Sequence, residues 1–246
     1  MLTEPTLEKL VALRLDAFAA AWQAQQADPA SHDLGFDDRL ALLVDAECLA
    51  RDTKRLQRAL REAKLRLSQA CLEDVDYAAR RELDKALVRQ LATGRWVHEH
   101  HNVLITGATG TGKTYLACAL AQQACRHGHR ALYRRVPRLF EELTLAHADG
   151  SYIRLLARFA RADVLVLDDW GLGGLRDQDR RDLLELLEDR TGTRSTIVTS
   201  QLPPAKWYDY LDDPTTADAI CDRLLHPAHR LVLKGPSRRK EAAPKS

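Results

Sequence analysis

A glycine-rich segment between a short apolar run and a helical stretch constrains this chain more than any other feature. The segment matches the pattern G-x-x-x-x-G-K-S/T, and its eight residues are Gly107, Ala108, Thr109, Gly110, Thr111, Gly112, Lys113 and Thr114. Glycines let backbone N–H groups turn toward phosphate oxygens, and the helix that follows directs its positive end to the same place. We therefore predict a phosphate-binding loop, called the P-loop below, whose eight residues bind ATP.

Two side chains of the P-loop have separate predicted roles. The Lys113 ammonium is expected to reach the β- and γ-phosphates, and the Thr114 hydroxyl is expected to hold Mg²⁺. The eight-residue pattern also occurs by chance, but here an apolar strand precedes it and an amphipathic helix follows it. This context favours a true nucleotide site.

A second candidate element is the apolar run Val164–Leu167, which ends in Asp168 and Asp169. A buried strand that ends in carboxylates is typical of a site for the magnesium ion of a nucleotide. We predict that Asp168 binds the Mg²⁺ shell and that Asp169 acts as the general base for the attacking water. The alternative, a simple acidic turn at a strand end, does not explain why the P-loop accompanies it.

Two later residues complete the predicted catalytic set. Gln201 follows the polar strand end at Thr199 and Ser200, and either Ser200 or Gln201 could reach the γ-phosphate or the water. Arg223 lies on a predicted helix over 216–226 and could supply a guanidinium to a neighbouring subunit's γ-phosphate. A surface ion pair of Arg223 with Asp218 or Asp222 remains an alternative.

The alternation of apolar runs and helical stretches after residue 102 predicts an α/β domain with a mainly parallel sheet. The predicted strands are 103–105, 131–133, 164–167, 196–199 and 230–233. The predicted helices are 113–127, 139–147, 177–190 and 216–226.

The segment before this domain is predicted to be helical. One amphipathic helix is expected over 2–22, a long helix over 36–67, and a further helix over 80–91 that stops at Thr93 and Gly94. The predicted domains are 1–67, an all-helical unit for DNA binding or oligomerisation, and 68–246, the ATPase domain.

Basic side chains cluster although the formal net charge is only +2. Two groups are candidates for DNA phosphate contacts: Arg51, Lys54, Arg55 and Arg58 on the long helix, and Arg134, Arg135 and Arg138 near the second strand. A solvated face with interspersed acids is the alternative for the first group. Packing against Glu141 and Glu142 is the alternative for the second.

Composition restricts the class of protein. No window is apolar enough for a membrane helix, and the N-terminal segment carries charges throughout, so we expect no membrane partner and no secretion signal. The five cysteines form no C-x-x-C pair. Reduced thiols in a cytoplasmic protein are the expected state.

Taken together, these residues resemble those of the IstB family, ATPase partners of transposases in bacterial insertion sequences and relatives of the DnaC helicase loader within the AAA+ superfamily. The resemblance covers nearly the whole chain and is carried by Phe36 to Leu40, Asn102 to Thr114, Asp149-Gly150, Leu165 to Gly171, Ser195 to Ser200, Asp222 to His226 and Gly235 to Lys240.

The resemblance implies an AAA+ core after a small helical domain, with ATP and Mg²⁺ as cofactors. It implies a homo-oligomer, with ATP at the subunit interfaces, that assembles on double-stranded DNA, bends it, and stimulates a cognate transposase. Arg223 would match the family's arginine finger in trans, and Gln201 would stand where relatives carry a polar sensor. Arg239 falls where AAA+ proteins place a second sensor, in a clade with a shortened helical lid.

One departure from the AAA+ pattern concerns Asp169, because these ATPases usually carry Glu there. The shorter side chain predicts slow hydrolysis, stimulated by DNA or by the partner. A helicase loader remains the nearest alternative function, and a small-molecule kinase is more remote because no acceptor lid is evident. A GTPase would need an N-K-x-D segment, which is absent.

Overall fold

The computed structural model describes residues 3–77 and 82–237. The chain divides into two compact units, Met1–Arg58 and Ala59–Ser246. The first contains helices α1 (Thr3–Ala12) and α2 (Asp16–Ala27), a 3-10 turn (Pro29–Asp33), and most of α3 (Phe36–Ala63). The predicted helical character of this region is confirmed.

The prediction of one helix over 2–22 was wrong in detail, because the chain turns between α1 and α2. Arg14 lies in this turn with φ +58°. The Glu47 carboxylate of α3 accepts hydrogen bonds from the backbone N–H groups of Ala17 (3.1 Å) and Phe18 (3.0 Å). Since these are unpaired donors in the first turn of α2, Glu47 provides the cap that the local sequence lacks.

The second unit has strands and helices in alternation. In chain order its elements are α4 (Lys85–Ala92), α5 (Arg95–His98), β1 (Asn102–Gly107), α6 (Lys113–Arg126), β2 (Ala131–Arg135), α7 (Val136–Asp149), α8 (Tyr152–Ala160), β3 (Val164–Trp170), α9 (Asp177–Arg190), β4 (Ser195–Ser200), a 3-10 turn (Pro204–Lys206), α10 (Trp207–Leu211), α11 (Pro214–Leu225) and β5 (Ala228–Leu233).

Within the described residues the strands form a five-stranded sheet in the order β2-β3-β4-β1-β5. Every neighbouring pair is parallel, with Val103 opposite Ile197 and Leu132 opposite Leu165. This confirms the predicted α/β class. Because the strands are parallel, the ends of β1, β3 and β4 lie at one edge of the sheet, which is where ligands bind in open α/β folds.

A buried cation joins the elements at the opposite edge of the sheet. Arg190, at the end of α9, is 1% exposed. It donates hydrogen bonds to the carbonyl oxygens of Phe159, Ala162 and Ser195. Burial lowers the pKa of Arg190 to about 9, which still leaves the guanidinium charged at neutral pH. The segments that lead into β3 and β4 are thereby fixed to α9.

Several predicted bounds were shorter than the structure. Helix α7 begins at Val136 and not at residue 139. Helix α8, which was not predicted, follows the turn formed by Gly150 (φ +76°). Strand β3 continues past residue 167 to Trp170, which pairs with Ser200 after an irregularity in the register. Asp168 and Asp169 therefore belong to the strand and do not follow it.

Candidate functional site

The P-loop is closely covered by other backbone at its first glycine. Gly107 has φ +149°, and a Cβ there would lie 2.3 Å from the carbonyl oxygen of Leu233 on β5. No side chain fits at this distance. The first glycine of the motif is therefore required by the neighbouring strand as well as by the loop's own turn.

The tip of the P-loop contacts the segment that follows β5. Gly110 has φ +83°, and a Cβ there would lie 2.1 Å from Ser237 Oγ. The end of the described chain thus reaches the loop that the sequence predicts to bind phosphate.

Lys113, the seventh residue of the P-loop, is also the first residue of α6. Its ammonium donates to the carbonyl oxygens of Gly107 and Ala108, both at 2.8 Å, and the residue is 8% exposed. The positive charge and the N-terminus of α6 therefore lie at the same point, an arrangement suited to phosphate.

Thr114 and Asp168 come together as the sequence pattern predicts. The Thr114 hydroxyl lies 2.9 Å from Asp168 Oδ1 and 3.1 Å from Asp168 Oδ2. Mg²⁺ prefers a few hard oxygen ligands and completes its shell with water and phosphate. A hydroxyl and a carboxylate at this separation, beside the P-loop, fit that requirement.

Asp168 is fully buried and receives further donors that the sequence did not indicate. Tyr133 from β2 donates its hydroxyl at 2.5 Å, and Thr199 from β4 donates to the other carboxylate oxygen. Burial and the bond to Asp168 raise the pKa of Tyr133. The carboxylate is thus oriented by three elements of the sheet and α6. The sequence signal for Thr199 was the polar end of β4, but this signal indicated Ser200 and Gln201 equally.

Asp169 adopts a backbone conformation that is rare for a residue with a side chain. Its φ is +62°, and its N–H donates to Thr199 Oγ1 at 3.1 Å. Such a conformation costs about 1–2 kcal/mol and is found at functional sites more often than elsewhere. Its carboxylate lies near that of Asp168, because one Arg66 guanidinium nitrogen is 3.8 Å from an oxygen of each.

Two arginines lie on the acidic pair. Arg135 Nε is 2.8 Å from Asp169 Oδ2, and this bond is the main cause that raises the pKa of Arg135. Arg66, in the segment after α3, has a guanidinium nitrogen 3.8 Å from both Asp168 and Asp169. Arg135 was predicted to contact DNA, and the structure places it at the candidate ATP site; Arg66 was not singled out.

Ser200 and Gln201 differ in exposure. Ser200 is buried, and its hydroxyl donates to the Trp170 carbonyl at 2.8 Å, which occupies it within the sheet. Gln201 is exposed immediately after β4, on the edge of the sheet that carries the P-loop. Of the two, Gln201 is the one whose side chain is accessible.

Arg223 lies at the other edge of the sheet from the P-loop. Its carbonyl accepts from the side chain of Asn102, the first residue of β1, at 2.8 Å, whereas the P-loop begins at the last residue of β1. Five residue steps along a strand separate these points by roughly 16 Å. The guanidinium bonds Glu188 (2.8 Å) and the Ala219 carbonyl (2.9 Å), so its ion-pair partner is neither Asp218 nor Asp222.

The four basic candidates for DNA contact on α3 all have exposed side chains, and two of them form ion pairs. On α3, Lys54 and Arg58 are exposed, while Arg51 pairs with Glu47 and Arg55 with Asp52. These ion pairs are exposed at the arginine, so the guanidinium groups remain accessible.

Near β2, Arg134 is a correction to the prediction. It is 7% exposed, bonds Glu142 at 3.0 Å, and stacks over the Phe159 ring. A side chain buried in this way belongs to the core and is not available to DNA. Arg138 is exposed and pairs with Glu141 at 2.7 Å.

Some predictions concern other parts of the chain. Arg239 lies outside the described residues, so its role as a second sensor stays a prediction.

Across 3–77 and 82–237, no group of three or more His, Cys, Asp or Glu side chains could hold a metal ion. In the same part of the chain, the helices are all too short or too polar to span a bilayer.

Known proteins resemble this chain along most of its length. Residues 8–246 match the family described as IstB-like ATP binding protein. An insertion sequence IS1162 ATP-binding protein from Pseudomonas fluorescens is 54% identical over 82% of this chain and 88% of that protein. The insertion sequence ATP-binding protein y4pL from Sinorhizobium fredii (strain NBRC 101917 / NGR234) is 48% identical over all of both chains.

Solved structures share the fold at low identity. The DnaC helicase loader superposes with a TM-score of 0.55 at 23% identity, over 61% of this chain and 87% of that one. DnaI superposes with a TM-score of 0.58 at 23% identity, over 72% of this chain and 94% of that one. This likeness shows that the chain shares the fold of these two proteins. The family match over residues 8–246 and the insertion-sequence relatives together show that this chain belongs to the IstB-like ATP-binding protein family.

Proposed function

We propose that this chain is an ATPase that assembles on duplex DNA as a homo-oligomer and stimulates a cognate transposase. Family membership supports ATP binding and the insertion-sequence context. Hydrolysis, DNA binding, oligomerisation and stimulation of the transposase are the proposed steps.

The contact between Thr114 and Asp168 supports hydrolysis. Both would hold Mg²⁺, which supplies neutralisation of charge on the β- and γ-phosphate oxygens when bound. Lys113 adds a second positive charge at the same phosphates. Asp169 would accept a proton from an attacking water once Arg135 releases its carboxylate.

The position of Arg223 is the observation that carries assembly. A side chain attached roughly 16 Å from the beginning of its own P-loop cannot complete its own site. A guanidinium supplied to a neighbour's γ-phosphate would raise the rate by about 10³–10⁵-fold. ATP would then lie between subunits, and the full rate of hydrolysis would require the oligomer.

DNA contact is proposed for exposed basic residues of both units, namely Arg51, Lys54, Arg55, Arg58 and Arg138. Phosphate contacts give affinity that tolerates sequence and falls with salt, which suits a protein that must accept many target sites. The fold likeness to helicase loaders leaves their partner as an alternative, but three relatives above 40% identity are insertion-sequence ATP-binding proteins.

Sedimentation with random-sequence duplex DNA tests the proposal. In ATP the wild-type chain should form large particles on DNA, and in ADP it should not. Arg223→Ala should abolish them. Glu188→Gln is the matched control, because it breaks the Arg223–Glu188 ion pair but keeps the guanidinium; particles should persist. Monomers that ignore DNA in both nucleotides would overturn the assignment and favour a small-molecule kinase.

A further inference from the structure

A basic surface formed by residues other than Arg51, Lys54, Arg55, Arg58 and Arg138 lies on α8. Arg154, Arg158 and Arg161 follow one another at spacings of four and three residues and are exposed. Side chains at these spacings share one face of a helix. With Arg130, which immediately precedes β2, they line one hollow of about 770 Å³. We call these four residues the α8 arginine face.

Few carboxylates neutralise this face. Within the described chain, Arg154, Arg158 and Arg161 have no carboxylate oxygen within 4 Å, although Asp149 interacts with Arg154 at longer range. Asp149 itself accepts the Ser151 N–H at 2.9 Å. The hollow is therefore strongly positive.

The other nearby acids are engaged elsewhere or face a different hollow. Asp163 accepts the backbone N–H of Arg130 at 2.8 Å and lies 3.6 Å from Arg194. Glu62 lines an adjoining hollow of about 330 Å³ that shares Arg130, Arg158 and Arg161. Arg130, Arg158 and Arg161 thus line both hollows. One carboxylate lines each hollow, namely Asp149 in the larger and Glu62 in the smaller.

The layout favours a charged polymer over a single small anion. The rise of an α-helix places Arg154 and Arg161 roughly 10 Å apart along the axis, farther than one phosphate group can bridge. A duplex carries one phosphate per 3.4 Å of axis on each strand, so about three successive phosphates span the same length. Guanidinium groups are well matched to phosphate oxygens.

An acidic protein surface fits the hollow less well. Ile153 and Ala157 are the apolar side chains that line it, whereas the centres of protein interfaces are enriched in aromatic and other large apolar contacts. The face also lies at the opposite edge of the sheet from the ATP site. Arg130 immediately precedes β2, whereas Arg135 is the last residue of β2 and bonds Asp169. Nucleotide and polymer could be bound together.

We propose that the α8 arginine face binds the phosphate backbone of duplex DNA. This inference rests on the proposed function, since it names a surface for the DNA partner given above. It adds a contact region within the ATPase unit that neither the sequence pattern nor the family match indicates.

The test measures binding of the full chain to a fluorescent random-sequence duplex, with ATP, at several salt concentrations. Arg158→Gln/Arg161→Gln should weaken binding about tenfold or more near 0.15 M salt. It should also lower the slope of log K against log salt by about 1.8, because each phosphate contact contributes about 0.9. Arg158→Lys/Arg161→Lys keeps both charges and should retain most of the slope.

The control is Arg89→Gln/Arg181→Gln, which removes the same charge from exposed positions on α4 and α9 and should leave the slope unchanged. ATP hydrolysis without DNA should be equal in all variants, which shows that they fold. Equal loss in test and control, or an unchanged slope in the test variant, would overturn the α8 assignment alone. The α8 assignment would also be overturned if the Arg158→Gln/Arg161→Gln variant still bound DNA like the wild type but no longer bound an acidic protein partner. If the wild-type chain bound no DNA, both the α8 assignment and the proposed function would be overturned.

Discussion

Arg135 Nε lies 2.8 Å from Asp169 Oδ2, so the carboxylate proposed to activate water is bound to a cation at the end of the neighbouring strand. A carboxylate oxygen that accepts a hydrogen bond from a guanidinium must be released before it can take a proton from water. The consequence is a site that is assembled but restrained.

We expect Arg135→Gln to raise ATP hydrolysis in the absence of DNA. The ion pair is partly exposed, so its loss is worth about 1 kcal/mol, or roughly fivefold in rate. Steady-state hydrolysis at saturating ATP and Mg²⁺ measures this. Arg138→Gln removes a nearby exposed guanidinium that pairs with Glu141 and should have no effect. A rate at or below wild type would show that Arg135 assists Asp169.

Asp169→Glu should accelerate the chemical step. A longer side chain extends the carboxylate beyond the restrained position and toward the attacking water. A positioned base contributes about 10²–10⁴-fold, of which we expect roughly tenfold to be recovered. Single-turnover hydrolysis is the appropriate measurement, because it excludes product release. A rate no faster than wild type would contradict the idea that the short side chain limits hydrolysis.

Thr114→Val should remove the benefit of Mg²⁺ while leaving metal-free nucleotide binding intact. Valine keeps the shape of threonine but lacks the hydroxyl that lies 2.9 Å from Asp168. Loss of a metal-site group typically costs about tenfold or more in metal affinity. ATP affinity measured in Mg²⁺ and in EDTA should converge for this variant, and Thr114→Ser should restore the difference. If Val and Ser behave alike, the hydroxyl does not hold the ion.

Arg190→Met should destabilise the fold by about 3 kcal/mol or more. The substitution removes the donor for several buried carbonyl oxygens, and unsatisfied buried groups cost about 1–3 kcal/mol each. Urea unfolding followed by circular dichroism measures the change. Arg181→Met, at an exposed position on the same helix, should unfold within about 0.5 kcal/mol of wild type. Equal stability of the two variants would show that water replaces the guanidinium.

The buried thiols should resist alkylation at pH 8. Burial raises the pKa of Cys118 and of Cys221 to about 11, so only about one thiol in a thousand is the reactive thiolate at that pH. Exposed Cys48 and half-buried Cys71 should react first, and Cys48→Ser/Cys71→Ser should abolish the fast phase. Reactivity of the buried thiols should rise with pH toward 11 and on unfolding. Fast modification of the Cys48→Ser/Cys71→Ser chain would indicate an open core.

Short-range pattern predicted the parts of the site that one segment carries. The P-loop and the Val164–Leu167 run with its two acids are local signals, because each lies on one strand and its turn. Their meeting, through Thr114 and Asp168, followed from the parallel sheet. The fold class followed from the same alternation.

Long-range neighbours could not be predicted. Tyr133 and Thr199 reach Asp168 only because β2 and β4 flank β3, and strand order is not encoded in spacing. Arg135 illustrates the same limit: as a basic residue near a strand it suggested DNA, and its true neighbour became visible only with the register. Arg134, one residue earlier, points into the core because alternate residues of a strand face opposite sides.

The contact between Gly110 and Ser237 joins two parts of the chain that are far apart in sequence. Since a methyl group at residue 110 would stand 2.1 Å from Ser237 Oγ, residue 110 cannot gain a side chain unless Ser237 moves. The motif's glycine is therefore constrained from outside the motif, by the segment that follows β5.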